Sequence, residues 1–314
     1  MTSTADQQQF HLSLPAGRVD DGLFGPGSAA WKVWGHPAMI PGIMRSFVLD
    51  MVASAHAPAA MEDHSRYRED PIGRLNRTLF YFLTTVFADT PTVDAANTRL
   101  RRLHARITGT EPMSGARYSA LDPYLQLGNY MLTWHSVYFS YEKLVGRLPA
   151  DQEAQFFDEA ATAFGRLSHD YDEIRAAAVR HGIAADRLPD HVPNTRDEYR
   201  ELWAASEHLI CVTTQTRRSL DAILHPKANG DLTKAAVLST YPLLARAGVA
   251  LIPREVRRVS GLDVSRARDT AALAAAAVAV AALDRTDAYA ALLKRLCPHG
   301  SAVQGSALRS SSDD

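Results

Sequence analysis

The stretch that decides the fold is residues 70–87, DPIGRLNRTLFYFLTTVF. Asp70 is a good N-cap, and Pro71 suits the first position of a helix because it needs no N–H donor there. Leucines then recur at four-residue intervals, which places them on one helical face. The stretch therefore predicts an amphipathic helix that begins at Asp70-Pro71 and ends near Phe87.

The same helical spacing of apolar residues recurs along most of the chain. Further helices are predicted after an N-cap at Ser28 and over residues 38–54, 92–108, 122–144, 150–181, 195–224, 232–249, 264–283 and 287–296. Residues 57–70 are charged and broken by a proline, which is typical of a connector with no more than a turn of helix. Alternating strand patterns are nearly absent, with 248–253 as the one doubtful case. The fold class is therefore predicted to be all-α.

Length indicates how these helices are organised. A chain of 314 residues is long enough for one large domain or two small ones. We expect one domain, because the helices on both sides of the one plausible linker, residues 189–193, have large apolar faces. The predicted organisation is a flexible leader over residues 1–26, a single helical domain over 27–300 and a disordered polar tail over 301–314.

Charge and composition exclude several classes of partner. Lys and Arg total 34 against 35 Asp and Glu, so the net charge of -1 provides no field to hold nucleic acid. The most apolar stretch, residues 271–283, is shorter than the ~20 residues that a membrane-spanning helix needs. The first 14 residues lack the apolar core of a secretion signal. We expect a cytoplasmic monomer or homodimer with no transmembrane segment.

His104 is the first candidate for chemistry. It lies four residues after an apolar position of the 92–108 helix, at the edge of the apolar stripe. A neutral imidazole there is either a core histidine bonded to an oxygen or a metal ligand. Arg101 and Arg106 lie within one turn of it, and guanidinium groups suit carboxylates such as haem propionates. A solvated basic face is the alternative for these arginines.

Arg74, Arg77 and Thr78 form a second candidate element on the 70–87 helix. Arg74 and Thr78 share one face, beside the leucine row, and Arg77 borders the same row. These cations either extend to solvent along their aliphatic stems or, with the hydroxyl, face and polarise a bound dioxygen molecule. Together with an axial nitrogen from His104, the second alternative describes a haem pocket.

The order of several short motifs resembles the family of latex-clearing proteins and the mycophenolate-pathway oxygenase. The resemblance extends from about residue 28 to 146 and continues more weakly to about 224. It rests on Gly27-Ser28-x-x-Trp31, His64-Ser65, Asp70-Pro71-x-x-Arg74-x-x-Arg77-Thr78, His104 and Tyr118-x-Ala120-x-Asp122-Pro123.

The resemblance implies a fold, a cofactor and an activity. Relatives are all-helical with a globin-like core, bind a b-type haem through a histidine that matches His104, and use dioxygen to cleave isoprenoid double bonds. Their distal Arg and Thr match Arg74 and Thr78. Latex-clearing relatives have a lysine directly before this Thr that can occupy the distal iron position. This chain has Arg77 there, whose permanently protonated guanidinium is a poor iron ligand. Their acid/base glutamate has no aligned counterpart here.

We therefore expect a haem-b-dependent oxygenase that acts on a hydrophobic small molecule, of the isoprenoid type in its relatives, with dioxygen as co-substrate. The expected catalytic residues are Arg74, Arg77 and Thr78, the expected metal ligand is His104, and the expected cofactor contacts are His104, Arg101, Arg106 and His64. The alternative is a non-catalytic helical protein that binds haem or another apolar ligand.

Overall fold

The computed structural model describes residues 18–227 and 241–310, and the regular secondary structure within them is helical apart from one short hairpin. The all-α prediction is confirmed. The helices, numbered in chain order, are α1 (Ala29–Trp34), α2 (Met39–Ala53), α3 (His56–His64), α4 (Pro71–Phe87), α5 (Thr90–His104), α6 (Pro123–Leu144), α7 (Ala150–Gly165), α8 (Tyr171–Arg180), α9 (Arg196–Ser206), α10 (Thr214–Leu224), α11 (Tyr241–Ala250), α12 (Arg254–Ser260), α13 (Arg266–Asp284), α14 (Ala288–Leu296) and α15 (Pro298–Ser310).

The helices with the clearest start signals have the predicted bounds. Helix α4 begins at Pro71, where the Asp70 carboxylate accepts a hydrogen bond from the Gly73 backbone N–H, and it ends at Phe87. Helix α6 begins after Asp122, whose side chain accepts from two backbone N–H groups of the first turn. Local capping chemistry is sufficient to set these starts because it satisfies donors that have no partner inside the helix.

Other predicted segments are wrong in detail. The 57–70 connector contains α3, because a proline in the first helical turn costs no hydrogen bond and the helix buries Ala59 and Met61. The long helix over 150–181 is two helices, separated where Ser168 takes a φ of 57°. The helix over 195–224 is divided into α9 and α10 by a short 3₁₀ turn. Of the predicted 232–249 helix, residues 232–240 lie outside the described part of the chain.

The structure also contains a small hairpin that the sequence pattern does not predict. Strands β1 (Thr108–Thr110) and β2 (Arg117–Ser119) pair antiparallel directly after α5. Three residues per strand are too few to show an alternating pattern. The doubtful strand at 248–253 is instead the end of α11 and the turn after it.

The predicted leader and tail are both more ordered than expected where they are described. The Val19 N–H donates to the Asp89 carboxylate at 3.1 Å, which fixes the end of the leader at the start of α5. Residues 1–17 and 311–314 lie outside the described residues. Disorder is the wrong prediction for 301–310, which are helical in α15. Residues 301–310 are mostly polar, but they include Val303 and Ala307, which are buried and through which α15 packs.

Helix α2 lies at the centre of the fold, with α6 and α11 packed directly against it. A Cβ on Gly42 of α2 would lie 2.7 Å from the Val137 Cα of α6, and a Cβ on Gly248 of α11 would lie 2.7 Å from the Met44 Cβ of α2. Only glycine permits such close approach of the backbones. The two glycines therefore fix the position of α2 and of its two charged residues, Arg45 and Asp50.

Within residues 18–227 and 241–310, none of the helices combines the length and the apolar character needed to cross a membrane.

The central packing gives a first prediction. Gly42→Ala forces a methyl group into the α6 backbone and should lower the free energy of unfolding by about 2 kcal/mol. Gly128→Ala in α6 is the matched control, because a Cβ there meets nothing within 4 Å; it should raise stability by up to about 1 kcal/mol through helix propensity. Urea denaturation of both variants measures this, and equal effects would contradict the packing argument.

Candidate functional site

One large cavity opens between α2, α3, α4, α5, α6 and α9, with a volume of about 1090 Å³. Cavities that bind small molecules usually measure about 300–1,000 Å³. The cavity is thus large enough for more than one small ligand. Its wall is formed by residues that are far apart in the sequence.

Most of the sequence-predicted site residues meet in this cavity. Those that line it are His64, Arg74, Arg77, Thr78 and His104. Helices α4 and α5 therefore bring the two predicted elements together.

Arg101 and Arg106 do not reach the cavity. Both are exposed, and neither belongs to the cavity wall. Arg101 donates from Nη2 to the Leu167 backbone carbonyl at 3.0 Å. Arg106 is two positions from His104, so its side chain leaves the helix end in another direction. The expected contacts of these arginines with a cofactor find no support in the geometry.

His104 ends α5 with its imidazole half-buried in the cavity wall. Burial, together with the positive charges of Arg74 and His169, lowers the pKa of His104 to about 4. The imidazole is therefore neutral near pH 7, the form in which histidine binds metals. Its Nδ1 lies 3.2 Å from Nε2 of Gln126. Across the described parts of the chain, Nε2 of His104 has no hydrogen-bond partner.

Gln126 determines which ring nitrogen of His104 carries the proton. The Gln126 amide nitrogen also donates to the Ala120 carbonyl, and its Oε1 accepts from Nε2 of His169 at 2.6 Å. Nδ1 of His104 is then an acceptor, so the proton lies on Nε2. Metal binding through Nε2 requires the proton to move to Nδ1 and the Gln126 amide to turn its oxygen toward it.

Arg74 and Asp50, both half-buried, lie on the cavity wall close enough for the charge of each to affect the pKa of the other. Burial lowers the pKa of Arg74, against the opposing charge of Asp50. Burial also raises the pKa of Asp50, although Asn129 Nδ2 donates to its Oδ1 at 2.7 Å and Arg74 is cationic. Asp50 is a carboxylate that the sequence analysis did not select. The sequence feature that could have indicated it is a carboxylate in a helix whose other residues, apart from Arg45 and Ser46, are apolar or glycine.

The remaining predicted residues have partners of their own. Thr78 Oγ1 donates to the Arg74 carbonyl at 3.3 Å. Arg77 Nη1 lies 3.7 Å from the Asp70 carboxylate, which caps α4. His64 Nε2 lies 3.0 Å from the Thr108 carbonyl of β1. These contacts connect the cavity wall to the start of α4 and to the hairpin.

In the described ranges 18–227 and 241–310, no three His, Cys, Asp or Glu side chains cluster in a way that could hold a metal ion. His104 therefore offers a single nitrogen rather than one member of a chelating group. A metal at His104 would need a bound molecule to supply its other ligands.

Residues 31–282 match the family described as ER-bound oxygenase mpaB/B'/Rubber oxygenase, catalytic domain. The match includes the whole cavity wall and confirms the resemblance found in the sequence. No curated protein and no solved structure matches the chain.

Stability should depend on pH through His104. Because its pKa is lowered from 6.5 to about 4 in the folded protein, the unfolded chain takes up this proton first on acidification. The contribution is complete above pH 6.5 and decreases by about 3 kcal/mol as the pH falls toward 4.

Urea unfolding of ligand-free wild-type protein and of His104→Gln, across this pH range, tests the prediction. Histidines outside the Gln126 network contribute equally to both proteins, so the difference between them reports His104 together with its coupling to His169. Parallel pH profiles would show that His104 is not held neutral.

Proposed function

We propose, from the premise that the chain belongs to the family of mpaB and rubber oxygenases, that it is a haem-b-dependent oxygenase acting on a hydrophobic small molecule. The observation that carries the proposal is a cavity of about 1090 Å³ in which His104 offers one neutral imidazole. Arg74 and Thr78 lie on the wall of the same cavity.

The residues present fit a haem group. The volume has room for a macrocycle and a second ligand, and His104 supplies one nitrogen without belonging to a chelating cluster. When bound, haem supplies the redox-active iron on which dioxygen chemistry depends. In this proposal Gln126 orients the His104 imidazole by accepting a hydrogen bond from Nδ1–H after its amide has turned.

Arg74 and Thr78 act on the reacting oxygen. A half-buried guanidinium stabilises negative charge that develops on oxygen more strongly than an exposed one, because water screens it less. The Thr78 hydroxyl lies one turn from Arg74 on the same face of α4 and can turn from the Arg74 carbonyl to donate to a ligand. Arg77 instead pairs with Asp70 and stabilises the start of α4.

Asp50 is the proposed acid/base residue, in the role that a glutamate has in latex-clearing relatives. Its raised pKa brings the carboxyl group closer to the pH at which it both accepts and releases a proton. Asn129 holds one carboxyl oxygen by a hydrogen bond, which fixes the group while the other oxygen exchanges the proton. Glu62 is a poorer candidate because Arg68 and Arg218 already engage it.

The rest of the wall supports an apolar substrate. The side chains that give it this character include Ile43, Met51, Leu132, Phe139 and Leu202. Burial of apolar substrate surface against them supplies binding energy without directional bonds. An isoprenoid is the substrate class to test first, because latex-clearing relatives cleave such compounds.

A non-catalytic carrier of an apolar ligand is the second candidate function. It is favoured by one observation: Gln126 donates to Nδ1 of His104, which leaves Nε2 protonated and unable to bind iron. Oxygen consumption by the reduced protein with a panel of terpenoids separates the two. Turnover of any member supports the oxygenase, and ligand binding without turnover supports the carrier.

Haem binding should depend on His104. The wild-type protein purified with haem should show a Soret band that His104→Ala loses or shifts strongly, while its helical circular dichroism persists. His64→Ala is the matched control, because His64 lines the same cavity but already bonds to Thr108; its spectrum should not change. An unchanged Soret band in His104→Ala would exclude this ligand.

Turnover should depend on Asp50. Asp50→Asn removes proton transfer but keeps the size of the side chain, and it should lower kcat by about 100-fold with unchanged haem occupancy. Glu62→Gln, at a carboxylate outside the cavity wall, is the control and should keep activity within about twofold. Full activity of Asp50→Asn would assign the proton transfer to another group.

A further inference from the structure

Arg45 is a buried cation without a carboxylate partner among the described residues. It lies in α2, is 5% exposed and lines the cavity. Its Nε donates to the Leu251 carbonyl at 3.1 Å and its Nη1 donates to Ser136 Oγ at 2.5 Å. Nη2 has no hydrogen-bond partner in the described chain. Both acceptors are neutral, so the positive charge is not compensated.

This arrangement costs free energy unless a ligand compensates for it. Burial alone lowers the pKa of Arg45 to about 9, so the guanidinium still carries its charge near pH 7. Buried charges in proteins are normally paired, because an unpaired one loses its hydration without recovering it elsewhere. The Arg45 side chain is therefore suited to an anion that enters the cavity.

Two other arginines of the cavity wall have acidic partners, and the neighbouring Lys143 is exposed to solvent. Arg196 pairs with Glu142 at 2.7 Å and with Glu153 at 3.1 Å. Arg200 is largely exposed and pairs with Asp197 at 2.9 Å. Of these three arginines on the cavity wall, only Arg45 lacks an acidic partner among the described side chains.

Helix α6 shows how far Arg45 lies from His104. Gln126 contacts His104 and Ser136 contacts Arg45, ten residues further along the same helix. At 1.5 Å per residue this corresponds to about 15 Å along the helix axis. Met131 and Leu132 lie between these positions and line the cavity. Asn129 and Thr133 line the same stretch, so the wall between the imidazole and the guanidinium combines apolar surface with a few polar groups.

We propose that Arg45 binds a carboxylate group inside the cavity, so that the ligand is an apolar molecule with one acidic end. The free Nη2 and the edge of the guanidinium offer the donor pattern that carboxylates accept. Cζ of Arg45 also lies over the phenyl ring of Phe139, 4.9 Å from the ring centroid. The carboxylate belongs either to the substrate or to a haem propionate.

The first experiment uses the full-length protein and two matched pairs of probes. One pair is a long-chain fatty acid and its methyl ester, and the other is haem and its dimethyl ester. Binding of each is measured by calorimetric titration to the wild type, to Arg45→Gln and to Arg200→Gln. Arg200→Gln removes a cavity cation that already has a partner and serves as the matched control.

If the substrate supplies the carboxylate, the wild type and Arg200→Gln bind the fatty acid about tenfold more tightly than its ester, and Arg45→Gln binds both alike. If haem supplies the carboxylate, the wild type and Arg200→Gln bind haem more tightly than its dimethyl ester, and Arg45→Gln binds both alike. Wild-type protein with no preference in either pair, or a preference that persists in Arg45→Gln, overturns the proposal.

Two further variants keep the interpretation unambiguous. Arg45→Lys retains the charge and should keep part of the preference, so it replaces Arg45→Gln if the latter does not fold. As a substrate assignment the inference rests on the proposed oxygenase function, yet fatty-acid binding does not require iron. His104→Ala should therefore lose haem and keep the fatty-acid preference. If the wild-type protein prefers the fatty acid but never binds haem, this result contradicts the proposed oxygenase function. It does not contradict the carboxylate site at Arg45.

Discussion

The close approach of α2 to its two neighbouring helices is the constraint on which the rest of the structure depends. Gly42 and Gly248 let the backbones of α6 and α11 meet α2 at distances that any side chain would prevent. A helix held this tightly is buried on nearly all sides. Its only charged residues, Arg45 and Asp50, are consequently placed in the protein interior. The cavity owes its polar groups on this side to backbone packing.

The cavity combines two chemically different regions along one helix. Near the start of α6, Gln126 connects His104 and His169 in one hydrogen-bond network. Ten residues later, Ser136 and a backbone carbonyl hold Arg45. A neutral imidazole and an uncompensated cation have opposite preferences: the first suits a metal, and the second suits an anion. Apolar residues between them favour a ligand that is amphiphilic.

Much of the fold followed from local signals, whereas the polar interior did not. The starts of helices α4 and α6 are predicted by Asp-Pro sequences. The Asp side chain caps the helix by accepting hydrogen bonds from backbone N–H groups of the first turn, so the signal is local. His104 could be placed because it borders a periodic apolar row. Helix α15 and the hairpin could not be predicted, since their order comes from contacts with distant residues. The periodicity of apolar residues also does not show in which direction side chains leave the end of a helix. For this reason Arg101 and Arg106 were expected in the cavity. Asp50 and Arg45 were missed because a charge in an apolar helix is normally exposed, and only the tertiary packing buries them.

The most direct test of the central claim is a structure of the protein after reconstitution with haem. The account predicts that Nε2 of His104 would hold the haem iron, with Oε1 of Gln126 turned toward Nδ1, in the cavity that Arg74 and Thr78 also line. Haem bound through another residue, or a His104 ring that still accepts a hydrogen bond from the Gln126 amide nitrogen, would contradict it.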